Sequence, residues 1–336
     1  MNSGSVPVES QILGSFVFRR ISQGLIVVLA MSIIVFLGVY VIGNPADILI
    51  DPEATQAERL IAIRTLGLDQ PVWMQYGSFL RDALGGNLGN SFVFNEPALK
   101  LILSRLPATM ELAVAAMVFS LLLGIPLGMW AGARPYSFAG RTIQISSILG
   151  FSLPNFWQGM MLVMIFAVYL GWLPSGGRGE TGSILGIQTS FATWDGVRHL
   201  ILPALNLSLF KLAMITRLTA SSMRETLTLD YIDYAVAKGL RRRRILFVHA
   251  LKNVMMPVIT VAGLEFGSLI AFAVVTETIF SWPGMGKLII DSINVLDRPV
   301  IVAYLLVIVV LFITINLIVD LLYSVFDPRV RLARAR

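Results

Sequence analysis

Six long apolar runs constrain the fold of this chain more than any other feature of its sequence. A helix needs roughly 20 apolar residues to cross the hydrocarbon core of a bilayer. Runs that approach or exceed this length lie at 21–42, 112–131, 143–170, 201–220, 254–279 and 300–326. Inside a bilayer every backbone polar group must be paired internally, and a helix achieves this within a single segment. The sequence therefore predicts an all-α integral membrane protein with six transmembrane helices.

Three of the runs carry features that modify this simple pattern. Pro154 lies inside the third run, and because proline removes a helical hydrogen bond we expect a kink or an early break there. The fourth run is the weakest, since it contains Lys211 and Arg217. The first run follows Arg19 and Arg20 as a signal peptide would, but it is too long for one and no small-residue cleavage site follows it. We expect the first run to remain as a span.

The distribution of lysine and arginine predicts the orientation of the spans. With a cytoplasmic N-terminus, the cytoplasmic segments hold 15 of these residues and the opposite segments hold 9, of which 5 lie in a first loop too long for the rule to apply. Both termini are therefore predicted to be cytoplasmic. The segments are then an N-terminal segment at 1–20, an extracytoplasmic loop at 43–108, a transmembrane core at 109–326 and a basic tail at 327–336. The net charge of +6 is interpreted as this topology signal and not as nucleic-acid binding.

The composition argues against catalysis and against a metal site. Only 14% of the residues are charged, against about 25% in soluble domains, which indicates an integral membrane protein. The chain has no cysteine, which excludes disulfides and thiolate metal ligands, and its two histidines are too few for a histidine-rich metal site. Neither H-E-x-x-H nor G-x-S-x-G occurs. The string SWPGMGKL at 281–288 departs from the phosphate-binding loop pattern at both ends, so no bound nucleotide or other cofactor is expected in this chain.

The loops outside the spans differ in character. In the first loop, 56–66 has helical apolar spacing, and 71–84 begins with a proline suited to a first helical turn and ends before Gly85, Gly86 and Gly89. These two short helices suit either a cap over the outer mouth or a docking surface. The glycine-rich segment at 171–200 is expected to be irregular.

Charged residues inside spans are costly and usually functional. Lys211 and Glu265 both lie roughly 15 Å into their spans at the 1.5 Å rise per residue of a helix, near the middle of the bilayer. Three interpretations stay open: a fixed ion pair that ties two helices, contact with a charged end of a substrate in a water-filled path, or a snorkelling or lipid-facing placement. Gly124, Gly128 and Gly132 have the spacing of a close helix contact, with a gating kink at Pro126 as the alternative.

A basic loop at 221–253 lies between the fourth and fifth spans on the cytoplasmic side. The sequence predicts a short helix at about 222–238, a stop at Gly239, a turn with four arginines and a second helix that enters the membrane. Gly239 suits a left-handed helix cap, and Lys238 is favourable at the negative end of the helix dipole. A short helix of this kind is suited to a groove on a partner protein.

This loop resembles the EAA loop of the permeases of ATP-binding cassette importers. The family pattern has E-A-A, then a glycine four residues later, then I-x-L-P; here Asp233, Tyr234, Ala235 and Gly239 stand at the first positions. Tyr234 replaces an alanine, and the proline comes late, at Pro257. Further stretches resemble the peptide/nickel branch of this family along nearly the whole chain: LGLDQPVWMQYGSFL, NLGNSF, RLPATMELA, GIPLGMWAG, SLPNFWQGMML, GWLPSGGRG, ETIFSWPGMGKL and NLIVDLLYSVFDPRVR.

The resemblance implies a type I importer fold in a multi-pass protein of the bacterial cytoplasmic membrane, a B-type subunit that imports di- or oligopeptides. It implies four partners: a second, homologous permease, two ATPases that carry ATP and magnesium, and an extracytoplasmic substrate-binding protein. It also implies that a coupling helix contacts an ATPase through Asp230, Tyr231, Asp233, Tyr234, Ala235, Ala237, Lys238, Gly239 and Leu240. The basic residues Arg241, Arg242, Arg243 and Arg244 would anchor this helix at anionic lipid headgroups, unless they reflect orientation alone.

Other functions stay open at this point. Within the same machinery the substrate could be nickel, a metallophore, glutathione or a saccharide. A secondary transporter that needs no ATPase is a separate class, although no inverted repeat is visible in the sequence. A membrane enzyme is a third class, which the lack of an acid–base or metal cluster argues against.

Overall fold

A computed structural model describes residues 8–41, 55, 57, 64 and 69–326 of the chain, and in this part the structure is mainly helical. The helices are α1 (Val8–Val41), α2 (Val72–Leu84), α3 (Ala98–Ala133), α4 (Phe138–Ser152), α5 (Asn155–Leu162), α6 (Trp194–Leu227), α7 (Asp230–Ala237), α8 (Arg242–Ile279), α9 (Met285–Asn294) and α10 (Arg298–Phe326). A π-helical segment, Val163–Tyr169, continues α5, and α8 contains a π-helical turn at Ile245–Ala250.

Within the described residues, five helices are long and apolar enough to cross a membrane. They are Phe18–Gly38, Ala98–Ala133, Trp194–Leu227, Arg242–Ile279 and Arg298–Asp320. A sixth candidate consists of two helices, Phe138–Gly150 and Asn155–Tyr169, and the helix direction changes by 112° between them. The described residues therefore contain five candidate spans, or six if this bent pair is one.

The bend confirms the break expected at Pro154. Leu153 and Pro154 both have extended backbones, with ψ of 134° and 136°. Proline lacks the N–H that would continue the helix, and its ring disfavours a helical conformation in the residue before it. Gln158 stabilises the break, because its Nε2 donates to the carbonyl oxygens of Leu153 at 3.0 Å and Gly150 at 3.3 Å.

The chain forms two compact units, with boundaries after residues 104, 290 and 317. In the unit that contains α1 and α2, the hydroxyls of Ser32 and Tyr76 hydrogen bond at 2.8 Å. Buried Asp297 accepts a hydrogen bond from Ser91 at 2.5 Å. The helix expected at 71–84 is confirmed, since it begins at Val72 and ends at Leu84. The helix expected at 56–66 lies outside the described residues, except for Ala57 and Arg64.

In the other unit, three glycines of α3 give α6 its close approach. A Cβ at Gly128 would lie 2.5 Å from Cβ of Thr219 and 2.6 Å from the carbonyl oxygen of Thr216. A Cβ at Gly124 would lie 2.9 Å from Ile215, and one at Gly132 would lie 2.7 Å from the carbonyl oxygen of Ala220. Real Cβ atoms do not approach this closely, so the predicted small-residue contact between helices is confirmed.

The segment at 171–200 corrects two expectations, since it is not wholly irregular and the fold is not purely α-helical. Strands β1 (Gly182–Ile184) and β2 (Ile187–Thr189) form an antiparallel hairpin in which Ile184 pairs with Ile187. The two turn residues, Leu185 and Gly186, have φ of 53° and 82°. Positive φ at both positions is what the two-residue type I′ hairpin turn requires. The fourth span also begins earlier than predicted, because Thr193 caps α6 by accepting a hydrogen bond from the N–H of Gly196 at 3.0 Å.

Candidate functional site

The segment between α6 and α8 corrects the single helix expected at 222–238. Helix α6 ends at Leu227, and Leu229 is extended, with ψ of 143°, before α7 begins at Asp230. Asp230 and Asp233 occupy the first turn of α7, where the helix dipole favours negative charge. The predicted helix is therefore two helices, and the short one carries the residues that resemble the EAA loop.

Gly239 ends α7 in the left-handed conformation that the sequence predicts, with φ of 73°. Its N–H donates to the carbonyl oxygen of Val236 at 2.9 Å, and the N–H of Leu240 donates to that of Ala235 at 3.3 Å. This pair of bonds is the Schellman motif, which satisfies two carbonyl groups at the helix end. The motif gives α7 a defined end and reverses the chain toward α8.

One face of α7 is packed and the other is exposed. Ile232 and Ala235 are buried, and Tyr231 is fixed near α8 because its hydroxyl accepts a hydrogen bond from Nδ2 of Asn253 at 2.6 Å. Tyr234 and Val236 are about 60% exposed. The other predicted contact residues, Asp230, Asp233, Ala237, Lys238 and Gly239, are exposed, and Leu240 is half-buried. Of the predicted contact residues only Ala235 is buried, so it supports the helix and is not part of its surface.

The four arginines lie at the start of α8 and are all exposed. Arg241 is extended and precedes the helix. Arg242 donates from Nη2 to the carbonyl oxygen of Ala133, the last residue of α3, at 3.1 Å. A carbonyl at a helix C-terminus has no partner within its own helix, so Arg242 supplies one. This structural role for Arg242 was not expected from the sequence.

The structure brings Lys211 of α6 and Glu265 of α8 together as an ion pair. The Lys211 side chain is 5% exposed and that of Glu265 is 30% exposed. The ammonium group of Lys211 also donates to Oγ of Ser268 at 2.7 Å, and Ser268 donates to Oε2 of Glu265 at 2.9 Å. Three side chains from two helices therefore share one hydrogen-bond network near the midpoint of α6, which extends 34 residues.

Sequence reasoning missed a buried carboxylate at the other end of α8. Glu277 is fully buried and accepts hydrogen bonds from the hydroxyl of Thr109 at 2.7 Å and from the N–H of Lys287 at 3.0 Å. The same Thr109 hydroxyl accepts from the N–H of Met285 at 2.8 Å. A Cβ at Gly284 would collide with the Glu277 carboxylate. The glycines of SWPGMGKL thus enclose a carboxylate of this chain. The sequence signal that could have revealed this site is Glu277 itself, which lies four residues before the string.

A second missed network holds the hairpin. Glu111 of α3 is buried and accepts from Nη2 of Arg178 at 2.6 Å and from the N–H of Ser190 at 2.7 Å. Arg178 also donates to the carbonyl oxygen of Gln188 at 2.8 Å. The two carboxylates, Glu111 and Glu277, explain how the glycine-rich loops are held in place.

Two family models together match most of the chain. Residues 124–332 match the model described as binding-protein-dependent transport system inner membrane component. Residues 13–113 match the model for the N-terminal part of such membrane components.

Curated relatives match the chain over nearly its full length. The dipeptide transport system permease protein DppB of Escherichia coli strain K12 is 39% identical over 94% of this chain and 98% of its own length. The oligopeptide transport system permease protein AppB of Bacillus subtilis strain 168 is 39% identical over 95% of this chain and 99% of its own length.

A solved structure has a similar fold. A chain of the MetNI methionine ABC transporter in an inward-facing conformation matches with a TM-score of 0.55 at 16% identity, over 69% of this chain and 99% of that chain. At this identity the match concerns the fold alone.

Proposed function

Since this chain belongs to the family of binding-protein-dependent transport system inner membrane components, and is a multi-pass permease subunit of an ATP-binding cassette importer, we propose that its substrates are di- and oligopeptides. The observation that carries the proposal is the similarity to peptide permeases. Relatives named for dipeptide or oligopeptide transport are 38–41% identical over 94% or more of the chain.

The proposal includes a topology and a set of partners. The bent pair of helices counts as one span, which gives six spans and two cytoplasmic termini. A second, homologous permease completes the transmembrane path, a substrate-binding protein delivers the peptide, and two ATPases bind ATP and magnesium. The excess of lysine and arginine in the short cytoplasmic loops supports this orientation.

Helix α7 is the coupling helix in this proposal. Force passes between an ATPase and the spans, so the contact must be stiff and well anchored. The Schellman motif at Gly239, the buried Ile232 and the hydrogen bond between Asn253 and Tyr231 supply this anchoring. The exposed Tyr234 and Val236 supply the contact surface. The remaining predicted contacts other than the buried Ala235 extend this surface, and the arginines after Gly239 face anionic lipid headgroups.

Site-specific crosslinking tests the coupling surface. The chain has no cysteine, so a single introduced cysteine is the only thiol on this subunit. Val236 and Val248 are 58% and 57% exposed, but Val248 lies in α8 beyond the arginines. In the assembled transporter we expect Val236→Cys to crosslink to a cysteine in the ATPase, with a yield that changes with ATP. Val248→Cys is the matched control and should not crosslink. Equal yields from both positions would contradict the assignment.

Uptake by the purified complex in liposomes tests the function itself. We expect labelled dipeptide to accumulate only when ATP, both ATPases and the binding protein are present. Uptake driven by an ion gradient without the ATPases would instead indicate a secondary transporter. ATP-driven uptake of nickel, a metallophore, glutathione or a saccharide, without peptide uptake, would replace the substrate class and leave the permease assignment intact.

A further inference from the structure

A cavity opens beside Lys211, between the break after α4 and the helices α5, α6 and α8. Its volume is about 200 Å³. Pockets that bind drug-sized ligands have volumes of roughly 300–1,000 Å³, so this smaller cavity suits one or two amino-acid residues. Its wall includes Leu153, Asn155, Gln158, Asn206, Lys211 and Phe272.

Lys211 gives the cavity its charge. Among the described residues that line it, Lys211 is the one with a charged side chain, and Glu265 is not part of the wall. An ammonium group has three N–H donors, and those of Lys211 bond to Glu265 and Ser268, which leaves one. Charge-assisted bonds are strong where water is excluded. One N–H of Lys211 therefore remains for an acceptor in the cavity, and a carboxylate there would share the ammonium group with Glu265.

Unpaired amide oxygens give the cavity a second chemical feature. Asn206 is 2% exposed, and its Nδ2 donates to Oγ1 of Thr276 at 3.0 Å, while its Oδ1 has no partner. Oδ1 of Asn155 is also buried, and neither oxygen has a partner among the described residues. A buried acceptor without a hydrogen bond costs about 1–3 kcal/mol, which a ligand with N–H donors would recover. Both asparagines belong to the cavity wall, so a small rotation of either side chain would bring its oxygen to a ligand beside Lys211.

We infer that this cavity binds the C-terminal residue of the transported peptide, an inference that rests on the proposed function. The terminal carboxylate lies against the ammonium group of Lys211. The backbone N–H groups next to it donate to Asn206 and Asn155, and the side chain of the peptide packs near Phe272. A carboxylate beside N–H donors is common to all unmodified peptides, so such a site recognises peptides without selecting their sequence.

Cysteine protection in the complex of two permeases and two ATPases tests this site. The binding protein is omitted, because its own recognition of the peptide would otherwise contribute to the result. Leu153→Cys places a thiol in the cavity wall, and Phe156→Cys is a matched control, since Phe156 is 52% exposed and Leu153 is 43% exposed but Phe156 does not line the cavity. The probes are L-alanyl-L-alanine and its C-terminal amide, and the readout is the rate of labelling with N-ethylmaleimide.

We expect the free acid to slow labelling of Leu153→Cys about tenfold more than the amide does, because it adds a charge-assisted hydrogen bond. Labelling of Phe156→Cys should not change. In the Leu153→Cys background, K211M combined with E265Q removes both charges and should abolish the difference between acid and amide. E265Q alone keeps the ammonium group and should retain the difference.

Asn155→Ala is a second test that remains informative if the double variant does not fold. It leaves the ion pair intact and should weaken protection by the acid and by the amide to the same extent, about fivefold. Equal protection by acid and amide in the parent, no protection by either, or a difference between acid and amide that persists in the double variant would overturn the inference. ATP-driven dipeptide uptake by the parent complex is measured separately. If uptake is normal without protection, the cavity assignment fails and the proposed function stands.

Discussion

Replacement of Gly239 tests whether the cap of α7 transmits force. With φ of 73°, this residue is in the left-handed region, which costs other L-residues about 1–2 kcal/mol. Apart from its chain neighbours, no atom of the described residues lies within 4 Å of a Cβ built at Gly239, so Gly239→Ala adds backbone strain and no steric clash. A cost of 1–2 kcal/mol lowers the ratio of capped to frayed helix about 5- to 30-fold. Gly239→Asn should cost less, because asparagine tolerates this conformation.

Gly239→Pro is the stronger change. Proline fixes φ near −65° and lacks the N–H that bonds to the carbonyl oxygen of Val236 at 2.9 Å. The Schellman motif therefore cannot form in this variant. We expect normal membrane insertion and continued ATP hydrolysis, without peptide uptake.

The assay measures ATP hydrolysis and dipeptide uptake in the same liposomes and compares the peptide imported per ATP. This ratio should fall in the order Gly, Asn, Ala, Pro. Normal uptake by Gly239→Pro would refute the reasoning, and so would a ratio that does not follow the backbone cost.

Two further predictions concern the packed interior. Exchange of Lys211 and Glu265 should restore most of the folded yield and melting temperature that are lost when either residue becomes alanine, because removal of one partner leaves an uncompensated charge costing about 3–5 kcal/mol. Uptake should not recover, since the exchange takes the ammonium group out of the cavity wall; a melting temperature of the exchange variant no higher than that of the single variants would contradict the pairing. Gly128→Leu should destabilise the subunit by about 1–3 kcal/mol through overpacking, which lowers its yield and melting temperature in detergent. Gly38→Leu is the control and should change neither, because no atom of the described residues outside its own helix lies within 4 Å of a Cβ at Gly38. Similar melting temperatures for the two variants would contradict the packing argument.

The sequence predicts the features that depend on local chemistry. Apolar length identifies the spans, Pro154 identifies the break, and Gly239 identifies the cap of α7. Each of these follows from one residue type or one stretch of chain. The division of the helix expected at 222–238 is less visible because neither glycine nor proline marks it. The one local signal is the pair Asp230 and Asp233 at the start of α7.

The features that sequence reasoning missed depend on distant residues or on an unusual turn. Glu111 and Arg178 are 67 positions apart, and Thr109 and Glu277 are 168 apart, so no local pattern reveals either contact. The hairpin turn uses Leu185 where asparagine or aspartate would be typical. The sequence therefore lacks the usual signal for a hairpin turn, although isoleucines flank the turn as strand residues would.

The buried carboxylate of Glu277 has a mechanical consequence. It fixes one end of α8 to α3 and α9, while the other end begins at Arg242 beside the cap of α7. The 35 residues between them extend about 50 Å at the rise of a helix. A helix pinned at one end and pushed at the other is a lever, and a tilt of about 5° about the pin moves the free end by about 4 Å over this length. In the proposed coupling, a small displacement of α7 would therefore move α8 least at Glu277 and most beside the arginines.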